Sequence, residues 1–145
     1  MPSDPLDPAD AAARLALAVG RINRRIRATA DGLPLGLLSA LSSVVRQGPL
    51  RPSELARIEG VTAPSVTRTL AELEARGLVE RSPDPADGRA TFVSATDAGL
   101  EAVRHARAER AARVSALLGE LDGEGRTAIA RALDALEAVA GIGPG

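Results

Sequence analysis

Apolar residues near the start of the chain recur at helical spacing: Leu15, Val19, Ile22 and Ile26 fall three and four apart on one face. This spacing predicts a helix from about Asp10 that stops before the ADGLP of 30–34, with Arg14, Arg21 and Arg25 on another face. A second helix is expected from Leu35 to Val45, apolar at Leu37, Leu38, Leu41, Val44 and Val45 and closed by the QGP of 47–49. RPSELARIEG at 51–60 reads as a third, short helix carrying Leu55, Ala56 and Ile58, with Pro52 suited to its first turn. Thr62 is a good N-cap for a fourth helix to about Arg76, and Gly77 is placed to end it. Here the period changes, since Leu78 to Arg81 and Thr91 to Ser94 have strand character around a polar turn. Thr96 then caps a long helix from Asp97 to about Leu118, and Asp122 caps a last one to about Ala140. Residues 1–9, with three prolines, read as a frayed leader, and GIGPG as a loose tail.

The predicted fold class is therefore mainly α with a small β-hairpin (α+β). A helix-turn-helix followed at once by a two-stranded hairpin is the arrangement of a winged helix-turn-helix. At 145 residues the chain suits one folding unit. Composition changes the picture in three ways. With one Phe and no Tyr or Trp, the core must be built from Leu, Val, Ile and Ala, whose small side chains each bury little area, so dimerisation would add useful burial. The absence of Cys removes disulfides, thiolate catalysis, Cys-based redox sensing and Cys-containing zinc sites, so neither a metal nor a cofactor is expected. The acidic, Pro-rich MPSDPLDPAD lacks the basic start and apolar run of a secretory signal, and no stretch approaches the roughly 18 apolar residues of a membrane span. The expectation is a cytoplasmic protein with no membrane partner. All 18 basic residues are Arg, a bias that a GC-rich genome alone can produce.

In a helix-turn-helix the second helix enters the major groove of double-stranded DNA with its N-terminal residues toward base edges. Here that helix opens TAPSVTRTL, small and polar at Ser65, Thr67 and Thr69 with one Arg at 68. Arg68 can donate two parallel hydrogen bonds to guanine, Ser65 and Thr67 can act as short donors, and Pro64 offers an apolar contact to a thymine methyl. The competing role for Arg68 is a surface pair with Glu72 four residues on. In the hairpin tip, Arg89 can reach a narrow minor groove, while Asp87 and Gly88 shape the loop or, for Asp87, orient Arg89. The competing picture is an ordinary Asp-Gly turn with a solvated Arg.

At this point the chain resembles the MarR family of bacterial transcription regulators. SELA at 53–56, SVTRTLAELEARGLVER at 65–81 and the Asp-x-Arg of DGR at 87–89 carry the resemblance, and the helix order matches over essentially the whole chain. The resemblance implies one MarR-like domain over 1–145, with a winged helix-turn-helix at 34–95 and dimerisation helices at 10–30 and 96–140. It also implies a homodimer, probing adjacent major grooves with Pro64, Ser65, Thr67 and Arg68 and using Arg89 as the wing arginine. A small aromatic or phenolic acid that relieves DNA binding is a family habit. Against that ligand the chain sets no aromatic stacking partner, only Arg21, Arg24, Arg25 and Arg27, which suit a carboxylate, the DNA backbone or solvent equally. The chain departs from the family pattern at Arg51, where a Ser or Thr cap is common, at Ala95, where Leu is usual, and in a short wing.

Charge pulls the other way. Residues 46–92 hold seven Arg (46, 51, 57, 68, 76, 81, 89) and seven acids (54, 59, 72, 74, 80, 84, 87), where a DNA-binding domain leads one to expect a basic stripe. Neutrality implies modest affinity and a shallow salt dependence. An enzyme is not expected: His105 is the single histidine, in an Arg-rich stretch, and no GxSxG, P-loop or GxGxxG element is present. The alternative to a dimeric repressor of a pseudo-palindromic operator is a winged-helix or helical module that binds another protein. For it, Leu100, Val103, Val114, Leu117, Ile129, Leu133, Leu136 and Val139 would offer the surface.

Overall fold

A computed structural model describes residues 7–27 and 32–141. Six helices and one hairpin follow in the order α1 (Pro8–Ile26), α2 (Leu35–Gln47), α3 (Pro52–Glu59), α4 (Ala63–Ala75), β1 (Val79–Pro83), β2 (Thr91–Ala95), α5 (Asp97–Gly119) and α6 (Gly123–Val139). Helix α1 begins two residues before the apolar pattern does. Asp7 accepts a hydrogen bond from the Ala9 amide at 3.2 Å, and Pro8 fills the first-turn position that lacks a hydrogen-bonding duty. The expected approach of this helix to residue 30, most of the leader and the end of the tail lie outside the described residues.

The other caps fall where the side-chain chemistry puts them. The hydroxyl of Thr62 accepts from Ser65 N at the start of α4, and the carboxylate of Asp122 accepts from Gly125 N at 2.7 Å at the start of α6. Gly77 leaves α4 with φ of +70°, a left-handed turn that a side chain would oppose. Helix α3 is the exception. Its N-cap is Arg51, whose guanidinium has no acceptor atom, so only the return half of a capping box is made, with Glu54 accepting from Arg51 N at 2.7 Å. The far end of α3 is tied to α2 by Glu59, which accepts from the hydroxyls of Ser39 and Ser43 at 2.6 and 2.5 Å.

The chain divides into two compact units, one ending at Glu109 and the other starting at Arg110, within α5. The core of the first is aliphatic throughout. Leu37, Ala40, Leu41 and Val44 of α2 meet Leu55 of α3, Val66, Leu70 and Leu73 of α4, Leu78, Val79 and Val93 of the hairpin, and Val103 of α5. The single Phe lies elsewhere, at Phe92 in the hairpin. Strands β1 and β2 pair antiparallel from Val79 opposite Ala95 to Pro83 opposite Thr91; β1 begins one residue later and ends two later than the hydrophobic pattern suggests, and β2 ends one later. A third stretch joins them, because Leu50 and Val93 exchange two backbone hydrogen bonds, at 3.0 and 2.8 Å. Leu50 sits between Pro49 and Arg51 with no alternating neighbours, so a strand pattern is invisible there.

Thr96 closes the hairpin onto α5. Its hydroxyl donates to the Gly77 carbonyl at 2.6 Å and accepts from Gly99 N at 3.1 Å, joining the end of α4 to the start of α5. Gly99 is buried at this junction, and a Cβ built on it would stand 2.1 Å from the Leu78 carbonyl oxygen and 3.3 Å from Leu41. In an open helix Gly→Ala gains roughly 1 kcal/mol. Here the obstacle is backbone, which cannot swing aside, so Gly99→Ala is expected to be net destabilising by roughly 1–3 kcal/mol. Urea unfolding checks this: the midpoint should fall, and a midpoint equal to or above that of the parent chain would contradict the close approach.

Candidate nucleic-acid interface

The tip of α4 is built by what the rest of the helix buries. Val66, Leu70 and Leu73 are buried at spacings of four and three, which leaves Pro64, Thr67 and Arg68 exposed and Ser65 and Thr69 half-buried at the rim. No acid occurs between Val61 and Ala71, so the partial positive charge of the helix N-terminus stands uncompensated beside Arg68. The pairing of Arg68 with Glu72 does not form. Glu72 is taken by Arg76 at 2.6 Å, and among the described residues Arg68 makes no ion pair. The Thr67 hydroxyl donates to the Ala63 carbonyl at 3.0 Å, so it keeps lone pairs and a methyl group for a ligand and has no proton to offer.

The wing is not a two-residue turn. Seven residues, 84–90, connect β1 to β2, and Asp84 N donates to the Ala90 carbonyl at 3.0 Å to close the loop. Asp87 shapes its tip through the backbone: its carboxylate accepts from Arg89 N at 3.0 Å and its carbonyl from Ala90 N at 2.9 Å. Asp87, Gly88 and Arg89 are all exposed, and the Arg89 guanidinium has no ion pair among the described residues. The candidate residues thus fall into two patches of one unit: Pro64, Ser65, Thr67, Arg68 and Thr69 on the first two turns of α4, and Asp87, Gly88 and Arg89 on the loop.

Sequence reasoning missed the pair at the root of the wing. Asp84 is 3% exposed, although it stands in a polar loop. One of its oxygens accepts from Ala86 N at 2.8 Å, and the other accepts from the guanidinium of Arg51 at 2.5 Å. The same guanidinium lies 5.7 Å from the centre of the Phe92 ring. The Ala86 amide, with Arg51 adding to it, holds the Asp84 carboxyl below the usual carboxylate range against the opposing effect of burial, while the bond to Asp84 raises the pKa of Arg51. The available signal was an Arg in place of a small cap and an Asp enclosed by Pro83 and Pro85, 33 residues apart and unlinked by any periodicity.

These contacts also recast the charge balance. Arg51, Arg76 and Arg81 are engaged with Asp84, Glu72 and Glu74, and Glu59 is turned to the α2 serines. Arg46, Arg57, Arg68 and Arg89 make no ion pair among the described residues, and of these Arg68 and Arg89 occupy the helix tip and the wing tip. Elsewhere, His105 lies on the exposed surface of α5, 3.6 Å from Glu109. Among the described residues no cluster of His, Cys, Asp or Glu could hold a metal ion, and no helix is long and apolar enough to cross a membrane.

A helix-turn-helix whose second helix turns a polar tip outward, followed by a hairpin with an exposed Arg at its tip, defines a winged helix-turn-helix protein. The MarR family model matches residues 33–91, which is this segment. Across the longer chain, an HTH-type transcriptional regulator of Mycobacterium tuberculosis is 36% identical over 135 residues, covering 92% of this chain and 94% of that protein. A counterpart in Mycobacterium leprae is 38% identical over 125 residues, covering 85% and 87%. Among solved structures, a transcriptional regulator from Pseudomonas aeruginosa superposes with a TM-score of 0.80 at 31% identity, covering 94% of this chain and 98% of that one. The chain belongs to the MarR family, and it is a DNA-binding transcription regulator.

The depressed Asp84 pKa carries a sign. The stability that the ionised pair adds to the wing is fully present above the ordinary carboxylate range and is lost as pH falls through the lowered value. A carbon-detected NMR titration is expected to place the Asp84 carboxyl midpoint below the ordinary carboxylate range. Exchange of the Ala86 amide should accelerate below the Asp84 midpoint. A midpoint within the ordinary carboxylate range would show that the pair is not maintained in solution.

Proposed function

We propose that this regulator is a homodimeric repressor that occupies a pseudo-palindromic operator, reading bases with the tip of α4 and the adjoining minor groove with Arg89. The observation that carries this reading is the unpaired Arg68 on an acid-free, exposed helix start. A bidentate contact to guanine requires a free guanidinium presented edge-on in the major groove, and no neighbouring carboxylate competes for it. Pro64, Ser65, Thr67 and Thr69 flank it as shorter contacts.

Dimerisation is supported by apolar faces that have nothing to cover them. On α1, Leu15, Val19 and Ile22 are exposed, and on α6 the same holds for Ile129, Leu133, Leu136 and Val139, with no residue of α6 buried. Such stripes at helical spacing are covered in a working protein. On this reading the whole of 1–145 is one MarR-like domain, 34–95 is the reading head, and 10–30 and 96–140 are the dimerisation helices. Two-fold symmetry then sets half-sites about one helical turn, roughly 34–36 Å, apart. The protein acts in the cytoplasm and carries no catalytic activity. A small aromatic or phenolic acid that relieves repression completes the reading. Its carboxylate has arginines 21, 24, 25 and 27 to meet, and its ring has no stacking partner, since Phe92 lies beneath Arg51.

Two substitutions test the assignment. Arg68→Ala is expected to flatten preference at one base pair per half-site, at a cost of about 1–3 kcal/mol, as measured by affinity for a panel of single-base operator variants. Uniform weakening across the panel would make Arg68 a phosphate contact instead. Arg89→Ala should weaken binding to every sequence, most of all where A·T-rich flanks narrow the minor groove. If its affinity equalled that of the parent chain, the wing would be structural only.

A further inference from the structure

Arg51 and Asp84 lie outside the two candidate DNA-facing patches, and they tie the start of α3 to the root of the wing. We propose that this pair is a positioning latch that holds the wing in register with the helix-turn-helix, so that Arg89 meets the duplex already ordered. The proposal rests on the reading of α4 and the wing as the DNA-binding surface.

Residues 84–90 contribute one basic side chain, Arg89, and between the buried Asp84 and the half-buried Ala90 every residue is exposed, so the loop has little packing of its own to fix it. Order has to come from its root. Three contacts converge there: the exchange between Leu50 and Val93, the closing bond from Asp84 N to Ala90, and the guanidinium of Arg51, which reaches Asp84 while lying over Phe92. Arg51 is also the N-cap of α3, whose other end is tied to α2. One side chain therefore connects the first helix of the helix-turn-helix to the base of the wing. A carboxylate buried at 3% exposure is unfavourable without its cation, so losing either partner would free the loop root. A freed loop must be ordered during binding, at the expense of affinity.

Charge separates this role from a direct phosphate contact by Arg51. Asp84→Asn removes a negative charge beside the DNA and releases the Arg51 guanidinium, so long-range electrostatics alone would tighten binding. The latch predicts the reverse.

The test uses the full chain and its selected duplex, with the parent, Asp84→Asn, Arg51→Gln, Arg89→Ala and the Asp84→Asn/Arg89→Ala double variant. Asp84→Asn and Arg51→Gln are each expected to weaken binding roughly two- to tenfold, the cost of ordering one or two side chains on binding. Asp84→Asn should add almost nothing once Arg89 is Ala. Arg51→Lys, which keeps a cation opposite Asp84, should recover part of the loss. Amide exchange provides the readout for folding: in Asp84→Asn the Arg89 and Ala90 amides should exchange faster while Leu70 stays protected. Equal or tighter binding by Asp84→Asn, full additivity in the double variant, or wing exchange at the parent rate would each overturn the latch and leave the DNA-binding surface standing. A parent chain that binds no duplex would overturn both.

Discussion

Burial of Val66, Leu70 and Leu73 fixes the rotation of α4, and the rest of the molecule's purpose follows from that rotation. A helix with three apolar anchors three and four residues apart has one face it can turn inward. The opposite face of its first turns, carrying Pro64, Thr67 and Arg68, is then outward by geometry. The core that receives those anchors contains no aromatic ring. It is filled instead by Leu41, Val44, Leu55, Val93 and Val103, with Gly99 letting α5 come within van der Waals reach of the Leu78 carbonyl. Close backbone approach substitutes for bulk.

The hairpin extends this frame outward. Val93 faces the core and also exchanges hydrogen bonds with Leu50, so the strand that carries the wing is bound to the segment that introduces α3. Arg51, next in the chain, continues the connection to Asp84. A formally neutral domain can therefore still present cations at its helix tip and wing tip, because three of its seven arginines are turned to carboxylates and Arg68 and Arg89 are not among them.

Most of the fold was legible in the chain. The helices have caps whose chemistry is local, at Thr62, Thr96 and Asp122, and apolar stripes whose period is unambiguous, so type and order were readable to within a few residues. What escaped was non-local. The Leu50 bridge is one residue long and has no period, and the Arg51–Asp84 pair spans 33 positions that no spacing rule relates. A long wing loop was readable between the strand-like stretches, and what the sequence did not show is that Asp84 and Ala90 close it, which ends β1 at Pro83. Among the site residues, exposure of Arg68 followed from the apolar pattern, but its freedom from Glu72 depended on Arg76 winning that carboxylate.

The central claim is that a two-fold assembly of this chain recognises a defined duplex sequence. In-vitro selection from a random duplex pool with the purified protein, followed by affinity for the winning sequence at several salt concentrations, tests it most directly. The expected result is an enriched site with two-fold symmetry, half-sites about one helical turn apart, and a shallow dependence on salt in keeping with a formally neutral domain. Enrichment of no sequence at low salt, or of a site without symmetry, would contradict it.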